Sequence, residues 1–238
     1  MTIHLFGCSH IFGNDLSDWV EHQQASKRVY LQQLAMQINP SATVLNHAEA
    51  GMSNHLIFKR IYDKALSLTD SDVVLVQWTH FDRWKSWHND NPPNMRPGRY
   101  ETDIRSCNGK FDPDRDPEFI YYYNFFLQNV CHRMNDQTNL ILLTHLMLRA
   151  RNVRHLFTYS VILPEERKYL DRVSLHMDPR VNFFFNDCGS IELGSKLKFR
   201  RSPNYHFYED LHDFIIERFG KDMVDAVGFK PTTSTMST

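Results

Sequence analysis

Residues 3–16 read IHLFGCSHIFGNDL, and the composition changes abruptly at Gly7. An apolar run stops, and Cys8, Ser9 and His10 follow before Gly13. A serine placed beside a glycine just past a strand can be held at the start of the next segment with its hydroxyl exposed, which suits a nucleophile. The same residue type also caps turns and helices, and this stretch alone leaves both readings open. Two further stretches carry small and polar residues in the same position relative to an apolar run. VLNHAEAGMSNHLI offers Asn46, Gly51, Ser53 and Asn54, and VVLVQWTHFDR offers Trp78, Thr79 and Arg83. Other chemistries find less support. Thirteen histidines invite a metal, yet no HExxH, no His-x-x-x-His and no Cys/His cluster occurs, so neither zinc nor any other metal is expected. There is no GxGxxG and no GxxxxGK[ST], so no nucleotide cofactor is expected. The basic stretches LRARNVRH (148–155) and KLKFRR (196–201) read as solvated faces rather than as a nucleic-acid surface.

These residues need a scaffold. The chain has 238 residues and no Pro/Gly/Ser-rich divider before its end, so one domain over 1–228 is expected. A hydrophobic content of 42% suits one buried core, and a formal net charge of −1 excludes a global field that would draw it to nucleic acid or a membrane. No apolar run reaches the roughly 18 to 20 residues of a membrane span. Cys8, Cys107, Cys131 and Cys188 form no CxxC pair, and nothing N-terminal reads as a signal peptide, so free thiols in a cytoplasmic protein are expected.

Five short runs read as strands: IHLF (3–6), TVLN (43–46), DVVLVQW (72–78), NLILLTH (139–145) and VNFFF (181–185). Helical spacing appears over 27–38, 53–66, 119–134 and 204–220, the last with Gly220 suited to stop it. Strands alternating with helices predict a three-layer α/β/α sandwich with a five-stranded parallel sheet. In such sheets ligands gather at the carboxyl ends of the strands, where GCSH sits. Residues 88–118, Pro-rich and charged, form a long insertion suited to a lid or docking surface. Residues 229–238 form a polar tail.

The three blocks in order, each after a predicted strand, resemble the SGNH/GDSL hydrolase superfamily, and a phage and bacterial branch of it in particular. That branch reads GCSxxxG, NxAxxGxSN and WTxxxR. The resemblance covers the first third of the chain. It implies a flavodoxin-like fold and acyl transfer with no cofactor. It also implies that Ser9 is the nucleophile and that the N–H groups of Ser9 and Gly51 are oxyanion-hole donors. Many members add an Asn after the third strand; Thr79 is nearest that place here, and Asn54 is an alternative third donor. Arg83 is read as neutralising an anionic substrate, as anchoring the insertion, or as a surface ion pair.

The family's last block, DxxHP, is not matched. In KFRRSPNYHFYEDLHDF, Phe199 and Ser202 occupy the positions of its Asp and His. His206, expected at the start of the last helix, is the first substitute for the base. His212, in Glu209-x-x-His212, ranks below it, and His10 beside the nucleophile ranks third. Two functions follow. One is an SGNH-type serine esterase or deacetylase acting on an ester such as an O-acetylated glycan. The other is a catalytically impaired SGNH-fold binding or structural subunit, for instance of a phage particle. Its contacts would run through residues 88–118 and the tail, and its location would be the virion.

Overall fold

The computed structural model describes residues 1–18, 25–81, 130–162, 164–202 and 206–228. The insertion at 88–118, the tail at 229–238, Arg83 and the helical run over 119–129 lie outside the described residues.

Four strands form one parallel sheet in the order β2-β1-β3-β4. They are β1 (Thr2–Phe6), β2 (Thr43–Asn46), β3 (Val73–Trp78) and β4 (Arg154–Tyr159). Every residue of β3 is buried, as a central strand covered on both faces requires. The period of two sorts the side chains into two cores. Ile3, Leu5, Val73, Leu75 and Leu156 face one side, where they meet helices α2 (Tyr30–Ile38), α6 (Ser190–Lys196) and α7 (Glu209–Ala226). Phe6, Val74, Val76, Trp78, Phe157 and Tyr159 face the other, against α3 (Asn54–Ala65), α4 (Val130–Ala150) and α5 (Pro164–Ser174). A four-residue helix, α1 (Ser9–Phe12), follows β1 directly. The result is the expected three-layer α/β/α arrangement.

The sheet among the described residues has four strands rather than five, and two expected runs change type. NLILLTH lies inside the 21-residue α4. VNFFF makes only an isolated parallel bridge to β4, with Phe157 N–H donating to Val181 O at 2.7 Å and Phe183 N–H to Phe157 O at 2.8 Å. The fourth strand is RHLFTY, partly hidden in the sequence by the basic residues that precede it. The last helix does not stop at Gly220 but runs on to Ala226. A Cβ on Gly220 would lie 2.6 Å from Gln37 Oε1, the movable end of an α2 side chain.

The strand order places the functional loops. The chain leaves β1 towards β2, then crosses back over β1 to β3, so the loops after β1 and β3 part at a topological switch point. Ser9 follows β1 and Thr79 follows β3 at the same edge of the sheet.

Candidate active site

Ser9 is held by a tight strand-to-helix turn. Cys8 stays extended, with φ −100° and ψ −158°, and its carbonyl accepts the N–H groups of both Ile11 and Phe12 at 3.0 Å. This folds Ile11 back over Gly7, where a Cβ would lie 2.7 Å from Ile11 Cγ1, so only glycine fits beneath the turn. Ser9 therefore heads α1, and its N–H is among the first-turn donors that have no acceptor within the helix. Its side chain is nearly buried, at 5% exposure for the residue. Gly13, in the left-handed region at φ 82°, ends α1, with its N–H and that of Asn14 donating to Ser9 O at 2.9 and 3.1 Å.

The turn that follows brings a carboxylate back towards the serine. Asp15 also takes a left-handed conformation, at φ 67°, which Asp tolerates better than most residues. The next residue but one is fastened to α7, Ser17 N–H donating to Glu209 Oε1 at 2.7 Å.

His206 arrives from the other end of the chain. It precedes α7 in an extended segment rather than starting the helix. Two backbone contacts position it: Ser202 N–H donates to His206 O at 2.8 Å, and Phe207 bridges Arg201. Free of the helix, the imidazole reaches the sheet edge. Its Nε2 lies 3.0 Å from Ser9 Oγ, and its Nδ1 lies 2.9 Å from Asp15 Oδ2. Ser202 Oγ–H donates to that same oxygen of Asp15 at 2.7 Å and accepts the His206 N–H at 3.3 Å. The imidazole and the carboxylate are each about one-sixth exposed, enough for a ligand to approach and too little for free hydration.

The other histidines considered from the sequence are placed differently. His10 meets the His206 ring edge-on, with centroids 5.0 Å apart. His212 is buried inside α7, stacks on Tyr30 and accepts the Tyr30 N–H on Nδ1 at 3.3 Å, which caps the start of α2. Burial pushes its imidazole down to about 4 and keeps it neutral.

The oxyanion-side residues are partly rearranged. Gly51 sits in the loop after β2 at φ 80°, with open space where a Cβ would stand. Asn54, one of two expected third donors, has its amide committed elsewhere. Its Nδ2 donates to Thr79 O at 3.2 Å and to Gln137 Oε1 at 2.9 Å, and its Oδ1 accepts the Thr79 N–H at 2.8 Å. Both amide hydrogens are thus used, and Asn54 is a clamp on the loop after β3. That clamp also consumes the Thr79 N–H. The Thr79 hydroxyl is buried with no hydrogen-bond partner among the described residues.

Phe199 packs at the rim of the apolar core, its ring 5.4 Å from that of Phe214. Ser202 faces Asp15. The residue that sequence reasoning missed is Asp15. It lies in GND, outside the block in which the family carries its acid, and the one local signal is its place in a turn two residues past Gly13.

No family model matches the sequence, and no curated protein is significantly similar to it. Solved structures do match across nearly the whole chain. One is a member of the lipolytic G-D-S-L family from Veillonella parvula, with 9% identity, 93% of this chain and 97% of that one covered, and a TM-score of 0.53. TesA gives the same identity and TM-score, 9% and 0.53, over 95% of this chain and 99% of its own. The acetyl xylan esterase AlAXEase gives 12% identity and a TM-score of 0.50 over 95% and 100%. The fold is that of the SGNH/GDSL lipolytic proteins.

Proposed function

We propose that the chain is an SGNH-type serine ester hydrolase in which Ser9 is the nucleophile and His206 the general base. The observation that carries the reading is the 3.0 Å approach of His206 Nε2 to Ser9 Oγ, across 197 positions of sequence, at the carboxyl edge of a parallel sheet. A serine hydroxyl is a weak nucleophile until a base takes its proton, and this distance lies within the reach that proton transfer needs.

The chemistry follows from the geometry. Ser9 Oγ attacks the ester carbonyl carbon as its proton passes to His206 Nε2, and the carbonyl oxygen becomes an oxyanion. The N–H groups of Ser9 and Gly51, with the Thr79 hydroxyl, are the donors assigned to that oxygen. Each such donor contributes about 100- to 1,000-fold in rate. The tetrahedral carbon then expels the alcohol oxygen, which takes the proton from Nε2 and leaves an acyl group on Ser9. Water repeats the sequence, giving its proton to Nε2 and releasing the acid.

For the substrate, a short acyl ester on a sugar is the class we favour. Support comes from the acetyl xylan esterase whose fold the chain shares and from the polar character of GND and AEAGMSN around the serine. Arg83, four residues past Thr79, is assigned to an anionic or polyhydroxyl substrate. The reading of the chain as an impaired binding subunit rested on Phe199 and Ser202 standing where the family has Asp and His. His206, four residues later and 3.0 Å from Ser9 Oγ, favours turnover over that reading.

The test is turnover. Wild-type protein should release acetate from p-nitrophenyl acetate and from O-acetylated xylo-oligosaccharides, and Ser9→Ala should abolish both without changing the melting temperature by more than a few degrees. Activity retained in Ser9→Ala would refute the assignment.

A further inference from the structure

The geometry points to Asp15 as the carboxylate that orients His206, so that the acid of the catalytic set comes from the nucleophile's own loop rather than from the segment carrying the base. This inference rests on the proposed Ser9 and His206 roles.

Three observations converge on it. The first is contact: Asp15 Oδ2 lies 2.9 Å from His206 Nδ1, on the far side of the ring from Ser9. An ionised carboxylate only accepts hydrogen bonds, so Nδ1 must carry the ring proton and Nε2 must present its lone pair to Ser9 Oγ–H. That is the tautomer a general base needs, and without a partner on Nδ1 the ring would be free to adopt the other. The second is support: Ser202 Oγ–H donates to the same Asp15 oxygen at 2.7 Å. The residue standing where the family's histidine would be has become a donor to the relocated acid, and its hydrogen bond favours the ionised carboxylate. The third is backbone strain. Asp15 is a non-glycine residue at φ 67°, just past Gly13 at φ 82°. Left-handed conformations of non-glycine residues persist where the surrounding structure fixes them. Here the product of the strain is a carboxylate turned back onto the imidazole.

The position aligned with the family's acid cannot compete, because Phe199 packs against Phe214 in an apolar cluster. Moving the acid changes which parts of the fold must stay in register. In the family's arrangement, acid and base lie three residues apart. Here acid and nucleophile lie six apart, on the loop after β1, and only the base comes from afar. The link Ser17 N–H to Glu209 Oε1 at 2.7 Å ties that loop to the start of α7, three residues past His206, and keeps the two segments aligned.

Asp15 acts through His206 and is a positioning residue, so the test must read more than loss of activity. Asp15 and His10 contact the His206 ring, and Glu209 and His212 stand on the helix that follows it. Asp15 is the anion in hydrogen-bond contact with the ring.

The experiment measures the second-order rate of Ser9 phosphonylation by a fluorophosphonate, which needs no knowledge of the natural substrate, from pH 5 to 9. Asp15→Asn and Asp15→Ala should each slow labelling at pH 7.5 by about 100-fold or more, within the 100- to 10,000-fold span of general-base assistance. Asp15→Glu should recover part of the rate. Adding Asp15→Asn to His206→Ala should cost little more, since residues acting as one unit are not additive. Asp15→Asn labelling within about threefold of wild type, with intact far-ultraviolet circular dichroism, would overturn the inference while leaving the Ser9 and His206 roles standing. His206→Ala labelling at the wild-type rate would instead overturn those roles.

Discussion

Replacing Asn54 with Ala separates two tasks that this residue could perform. Asn54 is fully buried and makes three side-chain hydrogen bonds, to Thr79 N, Thr79 O and Gln137 Oε1. Thr79 and Gln137 are also fully buried, so truncation strands one donor and two acceptors away from water. A buried polar group left without its partner costs about 1 to 3 kcal/mol. Partial relaxation of the loop recovers some of that, which leaves a net loss of about 3 to 5 kcal/mol. For a chain of this size each kcal/mol shifts the melting temperature by about 2 to 4 °C, so Asn54→Ala should melt about 10 °C lower. Calorimetry or thermal circular dichroism measures this directly. Hydrolysis of p-nitrophenyl acetate at 15 °C, well below both melting points, should fall by less than about tenfold. An oxyanion donor would behave in the opposite way, costing about 100- to 1,000-fold in kcat with little change in stability. An unchanged melting temperature together with that kinetic loss would refute the clamp and restore Asn54 to the oxyanion hole.

Gly7→Ala would place a methyl group 2.7 Å from Ile11 Cγ1 and push α1 off the strand end. It should destabilise by about 1 to 3 kcal/mol and cut Ser9 labelling sharply; wild-type urea midpoints and labelling would count against the packed turn. Acid should weaken the fold from about pH 6.5 downwards. Burial holds the His155 and His212 imidazoles down to about 4, whereas unfolded histidines take up protons near 6.5. The unfolded state therefore binds more protons between those values, and stability is complete above about pH 6.5 and falls progressively towards pH 4. Urea midpoints at pH 7.5, 5.5 and 4.5 should decline in that order, and a flat series would refute it. Grafting the family's block, Phe199→Asp with Ser202→His, should lower activity, because it puts a charge beside Phe214 and removes a donor from Asp15. A gain in turnover would count against Asp15 and Ser202 as the acid pair at this site.

Much of the fold was legible because β1, β2 and β3 combine β-branched residues with sharp polar ends, and because α2 and α3 keep helical spacing throughout. The errors came where local pattern and burial diverge. α4 leaves Leu143 and Leu146 exposed at 51% and 45% while burying Thr138 and Thr144, so its apolar residues run together and mimic a strand. Periodicity alone cannot separate a short apolar run in a helix from one in a strand. β4 was masked by the arginines before it. At the site, the strand-end blocks and the family resemblance pointed to Ser9 and ranked His206 first among three histidines; the structure brings the two within 3.0 Å, a reach that depends on His206 lying ahead of α7 rather than within it. Asp15 was not legible, because a left-handed turn aims its side chain, and sequence spacing encodes no such direction.

The central claim is that Ser9 is a base-activated nucleophile. Peptide mapping by mass spectrometry after fluorophosphonate treatment tests it most directly. The account predicts one adduct, on the peptide bearing Ser9, absent in Ser9→Ala and slowed by about 100-fold or more in His206→Ala. A folded wild-type protein that forms no adduct, or one whose adduct lies on another residue and survives Ser9→Ala, would contradict it.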